Sequence, residues 1–260
     1  MKKFKMLLLF VTVMGVLLII SACADNNDSS SEPPAVSAEA ENNGDDSAGE
    51  TSGAGTEGNS GIGTASNVSI PAGFVEYRSS QYGFSIYHPS GWIALDQNIS
   101  MDEIVELLGD EFGDGLDAMI NAMDGADLDN VAVVWYDFDN MVSDVAPNTN
   151  VVVTSSGGLT QDDLKSPESK AELQSIFETM FRQVFDGFSA VSDLTGRYLG
   201  DNYFVLFRFD ADPMGIPMSF YQAMTITGGQ MYTFTHTTDG GRLGITSNEF
   251  ELMLATLTAD

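Results

Sequence analysis

The hydrophobic pattern divides the chain into three stretches. Residues 6–20 read MLLLFVTVMGVLLII without a charge, behind Lys2, Lys3 and Lys5. That is the layout of a secretory signal peptide: a basic start, then an apolar segment, then small residues, here Ser21 and Ala22. As a helix, 15 residues rise about 22 Å, short of the ~30 Å hydrocarbon core of a bilayer. Residues 24–66 are almost free of aliphatic side chains. They are Asn, Ser, Gly, Ala, Thr, Asp and Glu with Pro33-Pro34, and they hold nine acids and no Lys or Arg. Such a stretch buries too little apolar surface to offset its chain entropy, which predicts a disordered tether with a span of about 35 Å before charge repulsion extends it. From Val68 aromatics appear and continue: Phe74, Tyr77, Tyr82, Phe84, Tyr87, Trp92. The expected organisation is a signal peptide at 1–22, a linker at 23–67 and one domain at 68–260.

Within that domain the spacing of apolar residues predicts elements. Residues 73–78 and 84–88 read as short strands around a turn at 80–83, and Pro89-Ser90-Gly91 breaks the chain before Trp92. Ser100 with Glu103 fits a capping box, Ile99 with Ile104 fits a hydrophobic staple, and the stripe Met101, Ile104, Val105, Leu108, Phe112, Leu116, Met119, Ile120 and Met123 has helical spacing. Gly109, Gly113 and Gly115 weaken its middle, so two short helices or one with a break are expected. Strands are expected at 131–137, 150–154, 190–199, 203–210, 218–227 and 230–237, with hairpin turns at Gly200-Asp201-Asn202 and Gly228-Gly229. Ser166 and Pro167 open a second helix with the stripe Leu173, Ile176, Phe177, Met180, Phe181, Val184 and Phe185, and Gly187 stands at the expected C′ position. A last helix is expected from about Ser247, with Thr246 and Glu249 as a second capping box and Phe250, Met253, Leu254 and Leu257 as its stripe. Consecutive strands joined by short turns are antiparallel. The expected fold is therefore α+β, a twisted antiparallel β-sheet flanked by α-helices.

Charge alters the picture. The 260 residues hold 38 acids against 10 Lys and Arg, for a net charge of -28. Loss of residues 1–22 takes three lysines and no acid, bringing the net charge to -31. The domain alone keeps 29 acids and seven bases, or -22. A surface of that sign is repelled by phosphates and by anionic headgroups, which argues against nucleic acid as a partner. One cysteine excludes an intrachain disulfide and a Cys-rich zinc site.

That one cysteine has a context. Ile20-Ser21-Ala22-Cys23 resembles the bacterial lipobox, in which cleavage falls between the small residue and the cysteine, here between Ala22 and Cys23, and the thiol carries diacylglycerol. Asp25, Asn26 and Asn27 follow at once and suit no hydrophobic core. The resemblance implies an acylated, palmitate-type anchor at Cys23. Two or three chains hold a protein on a membrane where one is marginal.

Other chemistry is sparse. His88 and His236 are the only histidines, and neither lies beside a nucleophile-elbow pattern. No phosphate-binding or dinucleotide loop occurs, and no cofactor is implied. Asp124, Asp127 and Asp129 offer hard oxygen ligands for a cation such as calcium, but their spacing departs from the EF-hand loop, and a polar turn before the 131–137 strand is the simpler reading. The 13 methionines fall mostly on helix stripes and strands, as core gap-fillers do.

Two segments carry a wider resemblance. Tyr82-Gly83-Phe84-Ser85-Ile86-Tyr87-His88-Pro89-Ser90-Gly91-Trp92 resembles the opening of PsbP-like domains, and Ala146-Pro147-Asn148-Thr149-Asn150-Val151-Val152-Val153 resembles a strand start in related bacterial lipoproteins. The order of the closing hairpin and helix, 231–257, is similar as well. The resemblance spans about residues 70–260. It implies an antiparallel sheet between helices and a non-enzymatic binding or assembly role. Together these features predict a lipoprotein on the extracytoplasmic face of the cell membrane, with an envelope protein or a small ligand as partner. The alternatives are a receptor for a cation or small ligand, and an envelope hydrolase with His88 or His236 as its base.

Overall fold

The computed structural model describes residues 69–96, 130–140, 146–185, 187–212 and 216–259. The expected signal and tether segments and the helical stretch expected over 100–123 lie outside them. In chain order the elements are β1 (Phe74–Ser79), β2 (Phe84–Pro89), β3 (Ile93–Asp96), β4 (Val131–Tyr136), a short 3-10 turn (Phe138–Asn140) and β5 (Asn148–Ser155). There follow α1 (Gln161–Lys165), α2 (Pro167–Val184), β6 (Ser189–Ala190), β7 (Thr195–Leu199), β8 (Asn202–Ala211), β9 (Met218–Thr227), β10 (Gln230–Asp239), α3 (Leu243–Ala255) and β11 (Thr258–Ala259).

Eight strands form one sheet in the order β3-β4-β5-β10-β9-β8-β6, with β7 also paired to β8, and β1-β2-β11 form a smaller one. Every pairing is antiparallel. The expected α+β architecture is present. Its centre is the β8-β9-β10 meander, whose last turn is Gly228-Gly229. Both glycines take left-handed dihedrals, at φ 58° and 75°, as a two-residue turn matched to strand twist requires.

Strands β4, β8, β9 and β10 are buried on nearly every residue because the large sheet is covered on both faces. On one face lies α2. Its Phe177, Phe181 and Phe185 repeat every four residues and meet Phe207, Phe209 and Phe220 of the sheet, with ring centroids 4.4 Å apart for Phe181–Phe209 and 4.6 Å for Phe209–Phe220. Each buried phenyl contributes about 2 kcal/mol of apolar transfer. On the other face lie α3 and the small sheet. Phe250, Met253, Leu254 and Leu257 are wholly or almost wholly buried against Tyr232, Phe234, Phe84 and Ile86. Thr256 fastens the two layers, because its hydroxyl accepts from Tyr87 N at 2.8 Å.

Several details differ from the sequence reading. The 190–199 stretch is two strands, β6 and β7, since Val191 and Ser192 turn back onto the Arg208 carbonyl. β3, β11 and α1 were not expected. α1 is closed by an aspartate in place of the usual Glu or Gln: Asp163 accepts from the Thr160 backbone N–H at 2.7 Å and from its hydroxyl at 2.8 Å. Those bonds hold the Asp163 carboxyl below its ordinary pKa. α2 opens at Ser166 as expected, with the Ser169 N–H donating to the Ser166 hydroxyl. It ends with Phe185 as C-cap, so Gly187, with φ 65°, stands one position beyond C′. α3 begins at Leu243, a full turn before the expected capping box, so Thr246 and Ser247 lie inside the helix.

Candidate functional site

The two histidines are structural. His236 sits mid-way along β10 with no exposed surface. One ring nitrogen meets the Thr149 hydroxyl at 2.9 Å and the other meets the Thr246 hydroxyl at 2.7 Å. Its ring lies between Trp92, 5.9 Å away and parallel to within 4°, and Phe250, 5.3 Å away. Burial pushes its pKa down from 6.5 to about 4, against a small opposing effect of the Asn148 backbone. A neutral imidazole has one donor and one acceptor, and two hydroxyls satisfy both. Thr246 is thus the histidine's partner and not a helix cap. His88 is buried beside Trp135, with Nδ1 at 2.9 Å from the Pro89 carbonyl, and burial lowers its pKa too. The segment that carries the family resemblance therefore ends in packing: Trp92 closes over His236, and Asn148 begins β5.

A different place offers reachable polar chemistry. A cleft of about 240 Å³ is lined by Ser192, Thr195, Arg197, Leu206, Arg208 and Tyr221. Strand register builds it. Thr195 pairs with Leu206, and Arg208 pairs with Tyr221, so alternate residues of β7, β8 and β9 project on the α3 side of the sheet. Glu251 of α3 reaches three of these side chains. Its Oε1 accepts from the Tyr221 hydroxyl at 2.6 Å and stands 2.5 Å from the Arg197 guanidinium and 3.7 Å from that of Arg208. Arg208 lies over the Tyr221 ring, 4.3 Å from its centroid. Burial, then the Glu251 carboxylate, raises the Tyr221 pKa, so the phenol stays a proton donor.

The electrostatic balance of this cleft is unusual for the molecule. Two guanidinia share one carboxylate, on a domain of net charge -22. Sequence reasoning did not single out these residues. The available signal was a cation inside an otherwise apolar strand run, Tyr203 to Phe209.

Cys23, Ala22, Asp124, Asp127 and Asp129 lie outside the described residues. Among the described residues, no group of three or more His, Cys, Asp or Glu is placed to hold a metal ion.

No protein-family model and no curated protein matches the chain. Among solved structures it is similar to cyanobacterial PsbP from Synechocystis, at 14% identity over 76% of this chain and 99% of that one, with a TM-score of 0.43. It is similar to LpqN, involved in cell envelope biogenesis of Mycobacterium tuberculosis, at 11% identity over 71% and 90% of the two chains and a TM-score of 0.41. It is also similar to the Ran-binding protein Mog1p of Saccharomyces cerevisiae, at 9% identity over 72% and 95%, with a TM-score of 0.41.

Proposed function

We propose that the protein is a lipoprotein anchored through Cys23 to the extracytoplasmic face of the cell membrane, and that its PsbP-like domain is a non-enzymatic binding or assembly module. The observation that carries the reading is the position of the one cysteine. It stands at the end of Ile20-Ser21-Ala22-Cys23, directly after the charge-free segment 6–20 and directly before an acidic, aliphatic-poor stretch. The non-enzymatic part is supported by the histidines: each is buried and bonded to its own neighbours, out of reach of a substrate.

Anchoring is tested by expressing the full chain and its Cys23→Ser variant in a bacterium fed a radiolabelled fatty acid. The native chain takes up label and partitions into detergent, and the variant does neither. Equal partitioning and equal labelling of the two would end the lipoprotein reading.

A further inference from the structure

We propose that the cleft over β7, β8 and β9 binds a small organic carboxylate, with its anionic end on Arg197 and Arg208 and its apolar part against Leu206. This assigns a ligand class to the binding role proposed above, and it rests on that role being one of binding. The donor set is already shown to accept a carboxylate, because Glu251 Oε1 takes the Tyr221 hydroxyl and both guanidinia onto a single oxygen. One carboxylate does not use up two guanidinia, each of which has five N–H donors. The Arg197 side chain is half exposed and that of Arg208 one-third exposed, so both have donors to offer at the mouth. Ser192 and Thr195 line the same cleft.

Three properties narrow the class. Two guanidinia pair with a single carboxylate, so the free N–H donors suit one planar, singly charged anion. The surrounding domain is strongly negative, which disfavours a multiply charged ligand. The volume of about 240 Å³ lies just below the range usual for small-molecule sites, roughly 300–1,000 Å³. Planar guanidinium matches planar carboxylate, and Leu206 at the lining provides a contact that inorganic anions cannot use. Glu251 holds the arginines in place when the cleft is empty and competes with the ligand when it is full.

The test is ligand-observed saturation-transfer NMR on the purified full chain at constant ionic strength, with acetate, isovalerate and inorganic phosphate as probes. Isovalerate is expected to give a saturable signal, acetate a weaker one and phosphate the weakest. Arg208→Ala and Arg197→Ala each lower isovalerate affinity tenfold or more, with circular dichroism spectra unchanged. Arg197→Lys keeps the charge and loses the planar fork, and falls between. Glu251→Gln removes the competing carboxylate and tightens binding severalfold. No saturable signal from isovalerate, equal signals from native and Arg208→Ala protein, a preference for phosphate, or weaker binding by Glu251→Gln would each overturn the proposal. The same spectra follow the probe's own chemical identity, so conversion of bound isovalerate would sink the non-enzymatic reading while leaving the site in place.

Discussion

At the scale of single residues, His236 couples the core to pH. Its folded pKa is depressed to about 4 against an ordinary 6.5. Between those values the unfolded chain binds a proton that the folded one refuses, so stability is full above pH 6.5 and declines as pH falls toward 4. The shift corresponds to about 3 kcal/mol. The groups packed against the ring are Thr149, Thr246, Trp92 and Phe250, none of them charged. Urea unfolding at intervals between pH 7 and pH 4 should show a steeper loss in native protein than in His236→Gln; parallel pH profiles would exclude the account. The sequence shows that His236 lies in a strand, Thr233 to Thr237, but not what faces it. Its partners lie 87 residues upstream and 10 downstream. For the same reason Thr246 with Glu249 reads locally as a cap, while the fold uses Thr246 against the histidine.

At the scale of elements, legibility follows how local the determinant is. α2 is readable because Ser166, Pro167 and the Phe177-Phe181-Phe185 stripe all lie within the helix or at its caps. The β9–β10 hairpin is readable because its two glycines decide its turn. Adding a methyl at Gly229 meets no atom within 4 Å, so the cost of Gly229→Ala is one of backbone alone at φ 75°. It is expected to destabilise by about 1–2 kcal/mol, read as a lower urea midpoint with an unchanged slope. An unchanged midpoint would mean that the turn relaxes freely. β3 and β11 have only four and two residues and exist because β4 and β2 offer them an edge, which no short window of sequence reveals. Gly196 is a further case of distant cause: a Cβ there would strike the Tyr203 ring, so β7 carries a glycine where its neighbour strand needs room. The arginine cleft follows the same rule. Arg197 and Arg208 are eleven residues apart, and only the β7–β8 register and α3 bring them to one carboxylate.

At the scale of the whole molecule, acidity opposes compactness. The domain carries -22, and several ion pairs among the described residues are surface pairs close in sequence, such as Arg78–Glu76 and Lys165–Asp162, which contribute little. Like-charge repulsion is long-ranged in dilute buffer, where the screening length is about 30 Å at 0.01 M, and short-ranged at 0.15 M, where it is about 8 Å. Raising sodium chloride from 0.01 to 0.3 M should therefore raise the melting temperature by a few degrees in calorimetry. A fall would show that attractive pairs outweigh the excess charge. The proposed tether and anchor belong to this scale also, and they rest on composition alone, since an apolar run and an acidic run need no folded partner to be recognised.

The strand order has a consequence in time. β5 finds its partner β10 about 80 residues later, Asn150 opposite Thr235, and the Ser85 and Thr258 side chains meet across 173 residues. Contacts so far apart in the chain make folding slow, on the order of milliseconds to seconds. The β1–β2 hairpin precedes β4 and β5 in the chain, but until β10 and α3 arrive the β4 run VAVVWY and the β5 valines lack the α3 part of the cover on that face and β5 lacks its second strand neighbour. Those segments are where self-association competes with folding, and α3, which follows them in the chain, ends the competition.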